Sequence, residues 1–155
     1  MNCSFANINT VGGEILLEDN RELTNFEISS LSSIAGNIEV IDNAKLNGLD
    51  LRNVNGQGGN LLIEDNPLMA ELNLASLSGT LSDVRIHQND LLQTVNLQNI
   101  NSIDDDLELS NNAMLQDLNC SGLVSIGGDI DLVANDALTS FNVNALQQIG
   151  FLFST

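Results

Sequence analysis

Apolar and polar residues follow a pattern that repeats every 23 residues along the whole chain. Asparagine occupies one fixed place in this pattern, at Asn20, Asn43, Asn66, Asn89, Asn112 and Asn135. Counted from this asparagine as position zero, positions 3, 6, 8, 11, 18 and 20 carry mostly aliphatic residues and phenylalanine. A constant period of this length is typical of a solenoid, in which each repeat buries its apolar side against its neighbours.

Apolar residues alternate with polar ones at two places in each period, positions 6 to 8 and positions 18 to 20. Spacing by two is typical of a short strand with one buried face, and no helical spacing is present. The other apolar positions lie three apart among Ser, Asn, Asp and Gly, which favours tight turns. The pattern therefore predicts an all-β parallel β-solenoid with two sheets on different sides of a flattened tube.

The repeat fills the chain and predicts a single repeat domain over residues 1–155. Its predicted coils are 1–20 (partial), 21–43, 44–66, 67–89, 90–112, 113–135 and 136–155 (partial). The chain starts and stops inside a repeat, and Met1 leads directly into the first coil without a signal peptide. We expect a piece of a longer secreted chain, and residence in the cytosol is the alternative.

The asparagine at position zero follows the second predicted strand, where the chain must turn. An inward side-chain amide offers two N–H donors and a carbonyl to backbone groups that the turn leaves unpaired. Successive coils would then align Asn20, Asn43, Asn66, Asn89, Asn112 and Asn135 in an inward ladder. The alternative is that asparagine is simply a good turn residue facing water.

Glycine recurs at position 16 but is replaced in three coils by Ser82, Asp105 and Phe151. Gly13, Gly36, Gly59 and Gly128 indicate a turn that needs either a positive φ or close backbone approach. Isoleucine at position 14 is replaced by Gln57 and Thr80. We therefore expect the coils to bulge or loosen around residues 55–60 and 79–82, with 55–60 as the best loop candidate.

The repeat N-x-x-L-x-x-L-x-L-x-x-L-x-x-I-x-G-x-L-x-I-x-x-N is carried by segments such as 68–77 (LMAELNLASL) and 126–132 (IGGDIDL). It resembles the leucine-rich-repeat-like receptor L domain over nearly the entire chain. The resemblance implies a right-handed solenoid outside the cell, with a binding or structural role. It rests on scaffold residues and transfers no functional site. Cysteine-rich modules, terminal disulfides and an evident end cap are not found in this sequence.

Composition narrows the range of partners. The chain carries 21 acidic and four basic residues, and its formal net charge is -17. Such a charge excludes ordinary nucleic-acid binding and disfavours anionic membranes. No apolar run approaches the roughly 20 residues of a membrane span. We therefore expect no nucleic-acid partner and no membrane insertion.

Cysteines and glycosylation sequons coincide in this chain. Cys3 and Cys120 are five coils apart, on the order of 24 Å, so no intramolecular disulfide can join them. Each lies in an Asn-Cys-Ser triplet, which makes Asn2 and Asn119 candidate N-glycosylation sites in a eukaryotic secretory host. Chance occurrence of the triplets is the alternative, and Asn119 lies within a predicted strand.

Acidic residues form a column at position 17, which we expect to face outward on the second strand and which reads Asp83, Asp106 and Asp129 in successive coils. Like charges on neighbouring strands destabilise a sheet. Either water and salt screen them, or a hard cation such as Ca²⁺ bridges the three carboxylates. Acidic sheets without a metal are common. Apart from this candidate Ca²⁺ site, we expect no cofactor.

Catalytic chemistry has little support in the sequence, and no catalytic residue is assigned. His87 is the only histidine and lacks an obvious nucleophile; Ser110, one coil on in the same column, is a distant candidate without an elbow motif. Paired carboxylates leave a carbohydrate-active enzyme as a remote alternative.

We expect a non-catalytic, extracellular or cell-surface repeat scaffold with a structural, adhesive or filament-forming role and head-to-tail self-association. The second hypothesis is a receptor-type protein-recognition module.

Overall fold

The computed structural model of the protein describes residues 1–55 and 58–150, and the strands in this part are all short and parallel. The described residues contain no helix, so none of them forms a helix able to cross a membrane. Successive coils stack so that strands pair with the equivalent strands one coil away. The predicted all-β parallel β-solenoid is confirmed.

Strands fall into three columns. The first column contains β1 (Asn2–Ser4), β4 (Asn25–Glu27), β7 (Gly48–Asp50), β9 (Glu71–Asn73), β12 (Thr94–Asn96), β15 (Asp117–Asn119) and β18 (Ser140–Asn142). The second contains β2 (Thr10–Val11), β5 (Ser33–Ile34), β10 (Gly79–Leu81), β13 (Ile100–Ile103), β16 (Ser125–Ile126) and β19 (Gln148–Ile149). The third contains β3 (Ile15–Glu18), β6 (Ile38–Ile41), β8 (Leu61–Glu64), β11 (Val84–His87), β14 (Leu107–Ser110) and β17 (Ile130–Val133).

The third column is one continuous six-stranded sheet, whereas the other two columns are each divided into shorter sheets. The prediction of two sheets was therefore wrong, because the second column replaces what the sequence suggested was only a turn. Its strands are often two residues long and carry a single inward isoleucine, such as Ile34 or Ile126. So short a segment shows no alternation that would distinguish it from a corner.

The core is a continuous aliphatic column inside the three strand columns. Its side chains come from the positions that the repeat pattern singles out, and most are fully buried, as at Leu46, Leu61, Leu77 and Leu107. The first coil is less well covered, since Phe5 is 44% exposed and Ile8 is 39% exposed. Burial of the repeat positions therefore depends on a neighbouring coil on each side.

A register shift marks the coil in which Thr80 replaces the isoleucine of position 14. Strand pairs elsewhere join residues one full period apart, but Thr80 pairs with Ser102 and Leu81 with Ile103. The shift brings Leu81 into the core, where it is fully buried, and Gly79 has φ 99°. The predicted irregularity at 79–82 is confirmed. Within the predicted loop 55–60, Gly56 and Gln57 lie outside the described residues.

Glycines at position 16 serve close backbone approach. A Cβ on Gly36 would lie 2.9 Å from the carbonyl carbon of Gly13, and one on Gly59 would lie 2.9 Å from that of Gly36. None of these glycines has a positive φ. Of the two explanations that the sequence left open, close packing of successive coils is the one observed.

Positive φ occurs instead directly before the ladder asparagine. The residues there have φ between 52° and 56°, and they are Asp19, Asp42, Asp65, Gln88, Asn111 and Ala134. This left-handed conformation is unfavourable for side chains other than glycine, and asparagine and aspartate tolerate it best. No glycine marks this place in the sequence, so the strained corner was not predicted.

The asparagine ladder is present and inward. Asn43, Asn66, Asn89 and Asn112 are fully buried. At Asn66, Nδ2 donates to the carbonyl oxygens of Val40 and Glu64 at 2.8 Å and to Asn89 Oδ1 at 3.3 Å. Its Oδ1 accepts hydrogen bonds from the backbone N–H and from Nδ2 of Asn43, both at 3.2 Å. Each buried amide therefore joins three successive coils.

Candidate functional site

The exterior of the solenoid carries the residues that the sequence singled out for chemistry. On the six-stranded sheet, outward residues of β11 and β14, with Asp83 directly before β11, form a charged cluster of Asp83, Arg85, His87 and Glu108. Arg85 Nη2 lies 3.0 Å from Asp83 Oδ2, and Arg85 Nε lies 3.4 Å from Glu108 Oε2. His87 Nε2 lies 3.6 Å from the same glutamate oxygen. Arg85 thus forms ion pairs with two carboxylates from neighbouring coils.

His87 and Ser110 are register partners on adjacent strands, as their shared column predicts. The hydrogen bond recorded for Ser110 Oγ comes from Asn111 Nδ2, at 3.3 Å. His87 Nε2 is buried without a hydrogen-bond partner, and its nearest charged neighbour is Glu108. The pair is therefore adjacent but not connected as a nucleophile and its base.

The predicted cation ligands occupy different environments. Asp83 is only 8% exposed, so the expectation that position 17 faces outward was wrong there. Asp106 Oδ1 accepts the backbone N–H of Asp129 at 2.8 Å. Asp129 Oδ1 is buried without a hydrogen-bond partner. Among the residues that the structure describes, no group of three or more His, Cys, Asp and Glu side chains is arranged to hold a metal ion.

Burial raises the pKa of Asp83 above its ordinary value of 3.8. The carboxylates of Asp106 and Asp105 also raise this pKa, and Arg85 opposes the shift without cancelling it. One oxygen of Asp83, Oδ1, is buried without a partner. The equivalent residue one coil earlier is Asn60, and position 17 therefore accommodates an amide.

We predict that Asp83→Asn raises the unfolding midpoint at pH 7. Folding raises the pKa of Asp83, so its ionised form costs stability as the pH rises from 3.8 through the folded value. Below pH 3.8 the cost is absent, and the variant should then match the wild type. Thermal unfolding at about pH 7 and about pH 3 measures the difference.

Asp90→Asn is the matched control, because Asp90 is exposed and its removal changes the net charge by the same amount. An equal gain in both variants would show that only global charge repulsion had been relieved. The explanation based on burial of Asp83 would then be contradicted.

The two cysteines are both free, as predicted. Cys120 is fully buried, and burial raises the pKa of its thiol to about 12. Cys3 is partly exposed in the first coil. Cys120 therefore acts as a small apolar core residue.

The candidate glycosylation residues differ in their surroundings. Asn2 lies in the exposed strand β1, and its Oδ1 accepts a hydrogen bond from Thr24 Oγ1 at 2.9 Å. Asn119 lies in the interior of the first strand column, and its Oδ1 accepts the backbone N–H of Ser121 at 3.1 Å. Asn119 is therefore committed to the local turn, whereas Asn2 is the more open of the two.

An open groove of about 580 Å³ crosses the outer side of β4, β7 and β9. Polar side chains line it, including Glu27, Asp50, Arg52 and Glu71, while Gly48 contributes no side chain. Arg52 Nη2 lies 2.6 Å from Asp50 Oδ2. This contact lowers the pKa of Asp50 through a hydrogen bond from the guanidinium. The groove is thus a shallow, predominantly acidic surface.

Comparisons with protein-family models, with curated proteins and with solved structures gave no match for this chain. The fold and its surfaces are therefore the basis for any functional proposal. The resemblance of the repeat pattern to the receptor L domain stays a prediction.

Proposed function

We propose that this protein is a non-catalytic repeat scaffold, located outside the cell or on its surface, with a structural, adhesive or filament-forming role. The observation that carries the proposal is the continuous ladder of buried amides. Asn43, Asn66 and Asn89 each donate to a backbone carbonyl of their own coil and of the preceding coil and pair with the asparagine of the next coil. Asn112 likewise binds the preceding coil and pairs with Asn135. The recurring polar residue of every repeat is thus used to join coils to one another.

The terminal coils of the described structure favour a stacking role. Strand β3 pairs with β6 on one side only, and Leu17 is a partly buried core residue at this edge. Among the described residues at the opposite end, Ile130, Leu132 and Phe141 are also only partly buried, and residues 151–155 lie outside the described part of the chain. Unpaired strand edges are templates for further strands. At the β3 edge, a coil from a second copy, or a further coil of a longer chain, would complete both the sheet and the core.

We predict that Leu17→Glu abolishes concentration-dependent self-association, because it places a carboxylate on the apolar cross-section of the first coil. Light scattering and negative-stain electron microscopy over increasing protein concentration provide the measurement. Wild-type protein should grow into linear particles, and the variant should remain monomeric.

Leu16→Glu is the control, since Leu16 lies on the same strand but faces outward and is 46% exposed. It should assemble like the wild type. Circular dichroism of both variants checks that the coils remain folded. A wild-type protein that stays monomeric at every concentration would contradict head-to-tail stacking. Protease protection on intact source cells would contradict a surface location.

A further inference from the structure

An exposed apolar column runs along the corner that directly follows the asparagine ladder. In every complete coil, the residue at position 3 donates its N–H to the carbonyl of the ladder asparagine, as from Met69 to Asn66 at 2.9 Å and from Leu92 to Asn89 at 3.1 Å. Positions 1 and 2 are therefore the two central residues of a β-turn. Such positions favour Gly, Asn, Asp, Ser or Pro.

Three successive turns nevertheless carry a large apolar residue at position 2. We call this set the turn ridge, and its members are Leu68, Leu91 and Met114. Leu68 is 47% exposed, Leu91 37% and Met114 41%. Single exposed apolar residues are ordinary on protein surfaces. A stack of them, one per coil at about 4.8 Å, is a continuous linear surface roughly 10 Å long.

The ridge is bounded at both ends by residues of a different kind. Position 2 of the two preceding coils is occupied by Glu22 and Lys45, whose side chains meet at 2.7 Å. In the coil that follows Met114, position 2 is the small residue Ala137. The same turn thus accepts polar and small residues without any change in the fold. Large apolar side chains at the other three turns are consequently not required by the solenoid itself.

Carboxylates flank the ridge on both sides. Asp90 and Asp136 occupy position 1 of their turns, and Glu71 and Asp117 lie at the start of the adjoining first-column strands. No lysine or arginine follows Arg85 in the sequence. Around Leu91 and Met114 the flanks of the ridge are therefore acidic, whereas at the Leu68 end Lys45 occupies position 2 of the preceding coil and Arg52 interacts with Glu71. Lateral packing of a second copy would bring like charges together on a chain of net charge -17.

We propose that the turn ridge is a docking site for a cationic amphipathic protein segment. An amphipathic helix presents one aliphatic side chain per turn of about 5.4 Å, close to the coil spacing of about 4.8 Å. Three turns of such a helix match the three residues of the ridge. Lysine or arginine on both sides of its apolar stripe would face the flanking carboxylates. This inference does not depend on head-to-tail stacking, which uses the ends of the solenoid.

The probe is a synthetic helical peptide of about four turns, roughly 14 residues, with leucine along one face and lysine elsewhere. Fluorescence anisotropy measures its binding to the wild type and to the double variant Leu91→Asn and Met114→Asn. Asparagine suits these turn positions, so the variant should fold. We expect its affinity to fall about tenfold or more. Thermal unfolding confirms that the variant is intact.

Val124→Asn is the matched control, because Val124 is 40% exposed on a different corner of the same stack. It should bind the peptide like the wild type. A peptide with glutamate in place of lysine should not bind. Equal affinity of the double variant and the wild type would overturn the proposal, since binding would then reflect general acidity alone.

Three other outcomes would also overturn it. One is the absence of binding to the wild type at low ionic strength. Another is a wild-type dimer that the double variant abolishes, because the ridge would then belong to a second copy. The third is partitioning of the wild type, but not the double variant, onto phosphatidylcholine vesicles, which would assign the ridge to a lipid surface.

Discussion

Replacing Asn66 with leucine should lower the free energy of unfolding by at least about 3 kcal/mol, since each buried polar group left unpaired costs about 1–3 kcal/mol. The change leaves the carbonyls of Val40 and Glu64 without their Nδ2 donor and removes the acceptor of the Asn43 amide. For a chain of this size the unfolding midpoint should fall by about 10 °C. Differential scanning calorimetry measures the shift.

Asn99→Leu is the control for this substitution. Asn99 is exposed, and its Nδ2 donates one hydrogen bond, to the carbonyl of Ala75 at 2.8 Å. Its replacement should cost well under the loss at Asn66, because water can satisfy that carbonyl. Equal losses at the two sites would show that burial and connection between coils contribute nothing special at Asn66.

Gly127→Ala should destabilise the protein by about 1–3 kcal/mol through overpacking. A Cβ on Gly127 would overlap the carbonyl oxygen of Asp104, one coil away. The backbone of the two coils would have to separate and stretch their hydrogen bonds, such as that from Gly127 N–H to the Ile103 carbonyl at 2.9 Å. Chemical denaturation measured by circular dichroism gives the loss.

Gly12→Ala provides a control in the same column of the repeat. A Cβ on Gly12 meets no atom within 4 Å, because no described coil precedes it in the stack. The substitution should be neutral or slightly stabilising through reduced freedom of the unfolded chain. A loss of stability equal to that of Gly127→Ala would contradict the explanation based on contact between coils.

The period, the core positions and the inward asparagines could be predicted because each depends on one residue type recurring in register. Leu46, Met69 and Leu92, for example, occupy the same column and are all fully buried. An apolar residue that recurs at a fixed place must have a common inward direction if the coils stack. Most of the fold could therefore be predicted from the 23-residue periodicity alone.

Local conformation was harder to predict, since it depends on the backbone and not on side-chain type. The positive φ before each ladder asparagine occurs at Asp42, Gln88 and Ala134 alike. No shared residue type marks it. The second strand column was missed for a related reason, because two-residue strands such as Ser125–Ile126 have no internal periodicity.

Surface chemistry was predicted least well. Asp83 was expected to face outward but is buried. It precedes the strand that starts at Val84, so the alternation within that strand does not set the direction of its side chain. The turn ridge was not predicted, since position 2 is charged in two coils, at Glu22 and Lys45, and is a large apolar residue only from Leu68 to Met114. Because the residue type at position 2 differs from coil to coil, the sequence pattern does not show whether these side chains are buried or exposed. Their exposure is set by the geometry of the turn.

Hydrogen exchange of the side-chain amides, followed by NMR, tests the aligned ladder most directly. The Nδ2 protons of Asn43, Asn66, Asn89 and Asn112 are buried and hydrogen-bonded between coils. We predict that they exchange orders of magnitude more slowly than those of the exposed Asn99, because exchange requires the stack to open. Exchange of all these side chains at one common fast rate would contradict the ladder and the solenoid built on it.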